Sequence, residues 1–453
     1  MTAYRGWMSL MGVLCLSGTA LAELNYVDVG DSSGVQLARL DSSSQPQYSY
    51  NAAPAGQPIV APVNSVRAPD AGTTSQPPVP NSGTASSSDW KDSDSGSCNS
   101  CSGGCGCDCS PYCGCCNDHW YAYAGGLTMG RTGANKTYTT YDQTNQAHQL
   151  LYFPPSDWGG GVDTRIGYWF GCGCCGDPCG CCNSCGASGR AGIEVDYWGV
   201  WGMNGVASIT DAAVGANQLG TVQNDGFVGF LAPDDASLWF DNARAVKLLR
   251  NDEVNNVEVN FLYMPCCDAC NRFQMTALAG FRYFQFRDDL TWDQFAGTGL
   301  PAGDPGEAIT VANVSNNLFG FQIGAYMNYQ ICNRWSFFAV PKVGIYGNHI
   351  SGFNSMFLSD GTQAKFDANG DALNFNNSAN TFSVLGSIDI GVNWCFSRNW
   401  SFVGGYRVVG VSGVALADNQ IPQFFADEAG WKTIKTNGDL IIDGAFAGLE
   451  CRF

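Results

Sequence analysis

The sequence predicts an all-β protein: a closed, antiparallel, up-and-down transmembrane β-barrel of about ten strands behind a disordered N-terminal region. Three observations predict it. From His119 onward, apolar and polar residues alternate with period two, the signal of a strand, and the pattern recurs ten times. The connections between these segments alternate between short and long, as in an outer-membrane barrel. The composition agrees: 57 of 453 residues are glycine, 13% are aromatic, and only 14% are charged, against ~25% in an ordinary soluble domain. No apolar run of 18 or more follows the N-terminus, so strands must do any crossing. The net charge of -18 argues against a nucleic-acid partner, which would need a basic face. The expected partner is outer-membrane lipid.

Residues 1–22 read as a secretory signal peptide. Arg5 supplies the basic start, Trp7–Thr19 the apolar stretch, and Ala20-Leu21-Ala22 the cleavage site. Leu14 stands before Cys15, where a lipoprotein site needs a small residue, so no lipid anchor is expected. Export would put the cysteines in an oxidising compartment. Cleavage after Ala22 removes Cys15 from the 22 cysteines and leaves an odd number, so full pairing within one chain is excluded.

Residues 23–97 are rich in Pro, Ser, Gly, Ala and Gln. Such a segment buries too little apolar surface to offset the entropy of ordering it. It is expected to be a disordered periplasmic linker, either a tether or a plain spacer. A cysteine-rich segment follows at 98–118, and the barrel is expected at 119–453.

The strands are expected at 119–131, 159–171, 189–204, 253–265, 272–288, 315–331, 334–347, 381–395, 400–412 and 439–453. In LFGFQIGAYMNYQI, Phe319, Phe321, Ile323, Ala325, Met327 and Tyr329 share one face. In TFSVLGSIDIGVNW, Phe382, Val384, Ile388, Ile390, Val392 and Trp394 oppose Ser383, Ser387, Asp389 and Asn393. The long connections are 132–158, 205–252, 289–314, 348–380 and 413–438. The short ones are the second cysteine run, CCDACN, Cys332-Asn333 and Phe396–Asn399. Trp120, Trp335, Trp394 and Trp400 sit beside the short turns, where an interfacial aromatic girdle belongs. The last strand closes on Phe453, which resembles the assembly signal of bacterial outer-membrane proteins. Its alternation falters at Asp443-Gly444, which suggests a bulge.

If the apolar face meets lipid, the opposite face lines the lumen. It would carry Asp163, Arg165, Glu194, Asp196, Glu258, Arg282, Lys342, Asp389, Arg407, Glu450 and Arg452. Charges of both signs in a closed space imply paired packing, because an unpaired buried charge is costly. Ten strands also enclose little room: eight are filled by side chains, and open aqueous porins need ~16. A plugged structural barrel is therefore favoured over a diffusion pore.

No catalytic, cofactor-binding or metal-binding residue is assigned. The three histidines are His119, His148 and His349. His148 and His349 could meet on the long-loop rim, where Asp211, Asp225, Asp234, Asp235, Asp360 and Asp367 are available to activate a water. Omptin-type proteases are also ten-stranded barrels, but no stretch resembles theirs. DANGD at Asp367–Asp371 has its glycine at the wrong place for an EF-hand loop and reads as a turn.

Four stretches in order carry a family resemblance: NNVEVNFLY at 255–263, LAGFRYFQFRDDLTW at 278–292, NNLFGFQIGA at 316–325 and GYRVVGVSGVALADNQI at 405–421. Together they resemble the secreted outer-membrane β-barrel proteins of planctomycetes, over roughly residues 189–453. The resemblance implies an outer-membrane barrel, and it implies no enzyme and no ligand.

The cysteine candidates fall in six places. The first run is Cys98, Cys101, Cys105, Cys107, Cys109, Cys113, Cys115 and Cys116. The second is Cys172, Cys174, Cys175, Cys179, Cys181, Cys182 and Cys185. The third is Cys266, Cys267 and Cys270, and Cys332, Cys395 and Cys451 stand singly. By strand parity all six lie on the short-turn rim, as a periplasmic collar. Intrachain disulfides and intermolecular disulfides both remain open. Thiolate metal binding is disfavoured by the compartment and by spacings too crowded for one tetrahedral site. Adjacent cysteines sit ~3.8 Å apart at Cα, so each must bond to a more distant sulfur. The expected role is a structural envelope component, disulfide-linked to envelope proteins or to itself. A narrow selective channel and a loop-based adhesin or receptor are the alternatives.

Overall fold

A computed structural model describes residues 119–132, 137–143, 147–170, 189–211, 219–223, 228–229, 237–265, 272–297, 306–332, 334–366, 370–397 and 399–453. The expected signal peptide, the linker and all three multi-cysteine runs lie outside the described residues, as do Asp225, Asp234, Asp235 and Asp367.

The strands are β1 (Trp120–Thr132), β2 (Tyr138–Asp142), β3 (Ala147–Tyr152), β4 (Gly159–Phe170), β5 (Arg190–Thr210), β6 (Leu219–Thr221), β7 (Val228–Gly229), β8 (Ala243–Met264), β9 (Phe273–Ala296), β10 (Glu307–Cys332), β11 (Trp335–Leu358), β12 (Lys365–Phe366), β13 (Asn374–Cys395), β14 (Trp400–Val414) and β15 (Gly438–Arg452). Ten of them close an antiparallel ring in the order β1-β4-β5-β8-β9-β10-β11-β13-β14-β15. The seam between β15 and β1 runs from Arg452 opposite Tyr121 to Ile441 opposite Thr132. Trp120 and Phe453 seal its end by exchanging backbone hydrogen bonds of 3.0 Å in both directions.

The register fixes the barrel's shape. The row through Gly126 runs one way through Val162, Gly199 and Asn255 to Gln285 on β9. The other way it runs through Ala447, Gly404, Val392, Phe337 and Tyr329 to Phe273, also on β9. One circuit thus climbs about 12 residues. At ~3.3 Å per residue and ~4.8 Å between strands, ten strands with that stagger tilt by about 40°.

The strands run further than expected on the long-connection side. β8, β9, β10, β11 and β13 extend into the expected loops 205–252, 289–314 and 348–380. The alternation there is disguised, because the inward positions include Arg250, Asp252 and Asp288 beside Leu248, Leu290 and Trp292, all buried. Among the described residues, short strands and one-turn helices at Ser237–Phe240, Ala417–Gln420 and Glu428–Lys432 lie in the remaining connections. No bulge interrupts Asp443-Gly444: the β1–β15 register is continuous there, and the shift falls at Ser412/Val414 instead. The alternation falters because Asp443 sits on the outer face, where it accepts hydrogen bonds from Thr132 and Tyr406.

The outer face carries Phe281, Phe319, Phe321, Ile323, Val343, Ile345, Phe382, Val384 and Ile390 exposed, a lipid-facing belt. Trp335 and Trp394 stack at 5.8 Å at its short-turn edge, and Trp120 packs on Tyr168 at 4.8 Å. Inside are three apolar layers. The middle one holds Trp198, Met203, Phe284, Phe286 and Leu385. The one toward the short turns holds Trp169, Leu262 and Tyr326. The one on the long-connection side holds Phe153, Trp239, Trp292, Phe425 and Trp431.

Candidate functional site

Between the apolar layers the lumen is crossed by charge. Arg407 on β14 grips its cross-strand neighbour Asp389 with two hydrogen bonds of 2.8 and 2.9 Å. Its Nη2 also lies 3.1 Å from Asp163 on β4, across β15 and β1. That contact lacks hydrogen-bond alignment, so Asp163 is held by charge alone. The guanidinium lies over the rings of Trp198 and Phe446 at 5.1 and 5.2 Å, a favourable cation–π arrangement.

Glu258 organises a second group. It accepts from Lys342 and Gln322, both at 2.7 Å, and from Asn256 and Asn260 at 3.1 and 3.2 Å. Arg282 stands 3.5 Å away and donates to Asn256 at 2.5 Å. Lys342 reaches Asp196 at 3.8 Å, and Arg165 lies 3.6 and 3.9 Å from Glu194 and Asp196. Tyr121 and Tyr326 donate to Glu194 at 2.6 and 2.5 Å. Gly167 is needed here, since a Cβ would lie 2.1 Å from the Tyr121 ring. Glu450 and Arg452 pair with each other at 2.7 Å. A cavity of about 90 Å³ opens at this short-turn mouth, walled by Tyr121, Trp169, Tyr326 and Phe338 with Asn328 and Asn393.

A third charged group, of Arg131, Arg250, Asp252 and Asp288, is not among the inward charges expected from the sequence. Above the belt, Asp288 accepts both arms of Arg250 at 3.0 Å, one of Arg131 at 3.0 Å and the backbone N–H of Ala417 at 3.0 Å. Burial pushes its carboxyl up, but Arg250 and Arg131 outweigh that and hold it well below the usual carboxylate range. Burial, with the Asp288 charge beside it, pushes Asp252 up to about 7, against Arg131 and Arg250. Asp418 lies 3.5 Å from Arg250, and burial raises its carboxyl too. The signal for Asp288 was present: it continues the inward parity of Arg282, Phe284 and Phe286.

The β14–β15 connection plugs this end. Buried Asn316 donates to the Ala415 carbonyl and accepts from the Ala415 N–H, both at 2.8 Å. Asn348 donates to Gly413, and Asn354 and Asn377 both donate to the Trp431 carbonyl. The connection's own Leu416, Ala417, Phe425 and Trp431 are buried. The four stretches quoted for the family resemblance therefore touch one another: Asn256 and Glu258 meet Arg282, Asp288 meets Ala417, and Asn316 meets Ala415.

His119 and His349 lie apart, and the side chain of His148 lies outside the described residues. His119 binds the Trp169 carbonyl at the short-turn mouth, whereas His349 is exposed on the outer face against Asn380. Cys332 and Cys395 end β10 and β13, and Cys451 lies one residue before the end of β15, all at the short-turn rim. Cys332 is exposed and Cys395 buried. Among the described residues no group of three or more His, Cys, Asp or Glu is placed to hold a metal ion.

The family described as "Putative beta barrel porin-7" matches residues 242–436, from β8 to the β14–β15 plug. No curated protein sequence matches the chain. Among solved structures, the outer-membrane protease OmpT of Escherichia coli is 9% identical, covers 74% of this chain and 97% of its own, and gives a TM-score of 0.35. A major outer-membrane protein of Thermus thermophilus is 10% identical, with 74% and 99% covered and a TM-score of 0.25. The translocator domain of the autotransporter NalP of Neisseria meningitidis is 10% identical, with 74% and 88% covered and a TM-score of 0.29.

Proposed function

Taking a closed outer-membrane β-barrel as premise, we propose that the protein is a structural, non-conducting envelope component whose short-turn rim is a cysteine collar. The supporting observation is the filled lumen. Trp198, Phe284, Phe286 and Met203 are fully buried inside the ring, the Arg407 and Glu258 groups cross it, and the β14–β15 plug covers one end. On this reading the cysteines of the collar form disulfides within the chain and to neighbouring envelope proteins or copies. Planar-bilayer recording tests closure: no steady conductance is expected, and stable open steps at neutral pH refute it. Gels of whole envelopes with and without reductant test the crosslinks, and a purely monomeric band without reductant rejects them. Intact cells treated with an impermeant thiol reagent should leave the collar unlabelled if it faces the periplasm.

The word porin in the matching family's description favours a second reading, a gated channel. It requires the β14–β15 plug and the Arg407 group both to move. Conductance that appears only after deletion of 415–437 would support it.

A further inference from the structure

Five neighbouring strands change character on their outer face at one register row. Asn255, Gln285, Asn317, His349 and Asn380 stand directly opposite one another across β8, β9, β10, β11 and β13. Below the row every outward residue of β10 down to Tyr329 is apolar. Of the first two above it on each strand, nine of ten are polar: Glu253 and Asn251, Arg287 and Asp289, Ser315 and Asn313, Ser351 but not Phe353, and Ser378 and Asn376.

The row is bonded along its length. Asn255 donates to Gln285 at 3.2 Å, and Gln285 donates to Asn317 at 3.2 Å. Asn317 donates to the His349 carbonyl at 3.3 Å, and the His349 ring meets Asn380 at 2.9 Å. Tyr197 and Tyr283 add their hydroxyls at 3.2 and 2.9 Å. Amides facing hydrocarbon would need such mutual pairing, and amides facing headgroups gain partners besides.

The row's height fits a boundary. On β10, Asn317 and Tyr329, three residues short of the strand's end at Cys332, are 12 residues apart, which is one circuit of the register spiral. At ~3.3 Å per residue and a tilt of ~40°, they are separated by roughly 30 Å along the axis, the thickness of a bilayer's hydrocarbon core. The row itself climbs about 12 Å from β8 to β13, because it runs perpendicular to tilted strands.

We propose that this ladder seats the lipid headgroup layer on the long-connection side. Its partner is the uncharged hydrogen-bonding part of that layer, the ester and hydroxyl groups, since the row holds no Lys or Arg. The upper parts of β8, β9, β10, β11 and β13 then stand clear of the bilayer as a wall backed by the Trp292 and Trp431 layer. The inference rests on the outer-membrane barrel and not on the structural role proposed above.

The test places p-benzoylphenylalanine at Phe321, Ser315 or Asn313 of the full chain, reconstituted in phosphatidylcholine vesicles with alkyne-tagged acyl chains. Acyl adducts are expected at 321, with at least tenfold fewer at 313. Yields at 313 within twofold of those at 321 overturn the boundary. With Gln285→Leu and Asn317→Leu together, adducts at position 315 should rise at least threefold, and an unchanged yield denies the ladder its role. If the double variant fails to fold, the single-site yields still decide.

Discussion

Arg407 offers the sharpest test of the filled lumen. Replacing it with methionine keeps most of the apolar stem over Trp198 and Phe446 but removes the guanidinium. Two carboxylates then lose their nearest cation: Asp163 at 0% exposure and Asp389 at 5%. Breaking a buried ion pair from one side costs ~3–5 kcal/mol, most of it the penalty on the charge left behind. Asp389 loses two aligned hydrogen bonds along with its ion partner, whereas Asp163 loses an ion contact alone. Arg407→Met should therefore destabilise the barrel by about 3–5 kcal/mol, read as a shift in the urea midpoint of the heat-modifiable gel band. Adding Asp163→Asn and Asp389→Asn should recover most of that loss, since neutral amides of the same shape carry no charge to desolvate. A single variant within ~1 kcal/mol of the parent, or a triple variant no more stable than the single, would refute the reasoning.

Other perturbations separate the plug from the barrel. Asn316→Leu orphans both backbone groups of Ala415, at ~1–3 kcal/mol each, so residues 415–437 should exchange amide hydrogens faster while the belt strands do not change. Asp252 titrates high in the folded state, so its contribution favours the fold at acid pH and is lost as pH rises from ~4 toward about 7. Protease cutting within 415–437 should increase over that window, and Asp252→Asn should flatten the increase. Asp288 has the opposite sign: its pairing is lost only as pH falls below the usual carboxylate range, so Asp288→Asn should loosen the plug at neutral pH. Gly167→Ala would drive a Cβ into the Tyr121 ring and should destabilise the short-turn mouth by ~1–3 kcal/mol, seen as faster exchange at the β1–β4 end.

The fold was legible because the lipid-facing half of each strand obeys a strict two-residue period. Phe319 to Tyr329 and Phe382 to Trp394 could be read only as strands. The same rule placed the inward charges of the belt region. It failed above the belt, where the outer face meets water and polar residues occupy both faces. There Arg250 and Asp252 look like loop residues and Asp288 like the last residue of a strand, and only their continued parity with Val254 and Phe286 marks them as inward. The plug was illegible for a different reason. VALADNQI has no period, and its place is set by side chains far away in the chain, Asn316, Asn348, Asn354 and Asp288. Such contacts leave no local signature.

The filling of the lumen follows from the strand count and stagger together. Ten strands tilted by ~40° enclose a backbone cylinder of roughly 10 Å radius. Side chains from nearly opposite walls meet across that distance, as Arg407 on β14 and the Trp198 ring on β5 do at 5.1 Å. Small residues such as Ser or Gly at these inward positions would leave an aqueous bore. The sequence instead puts Trp198, Phe284, Phe286, Tyr346 and Phe446 there, with Arg407 and Arg282 lying over their rings. A solute path would have to displace aromatic packing and paired charge at the same level. The barrel's interior thus acts as a hydrophobic and ionic core, and its exposed chemistry lies on its outer face and its two rims.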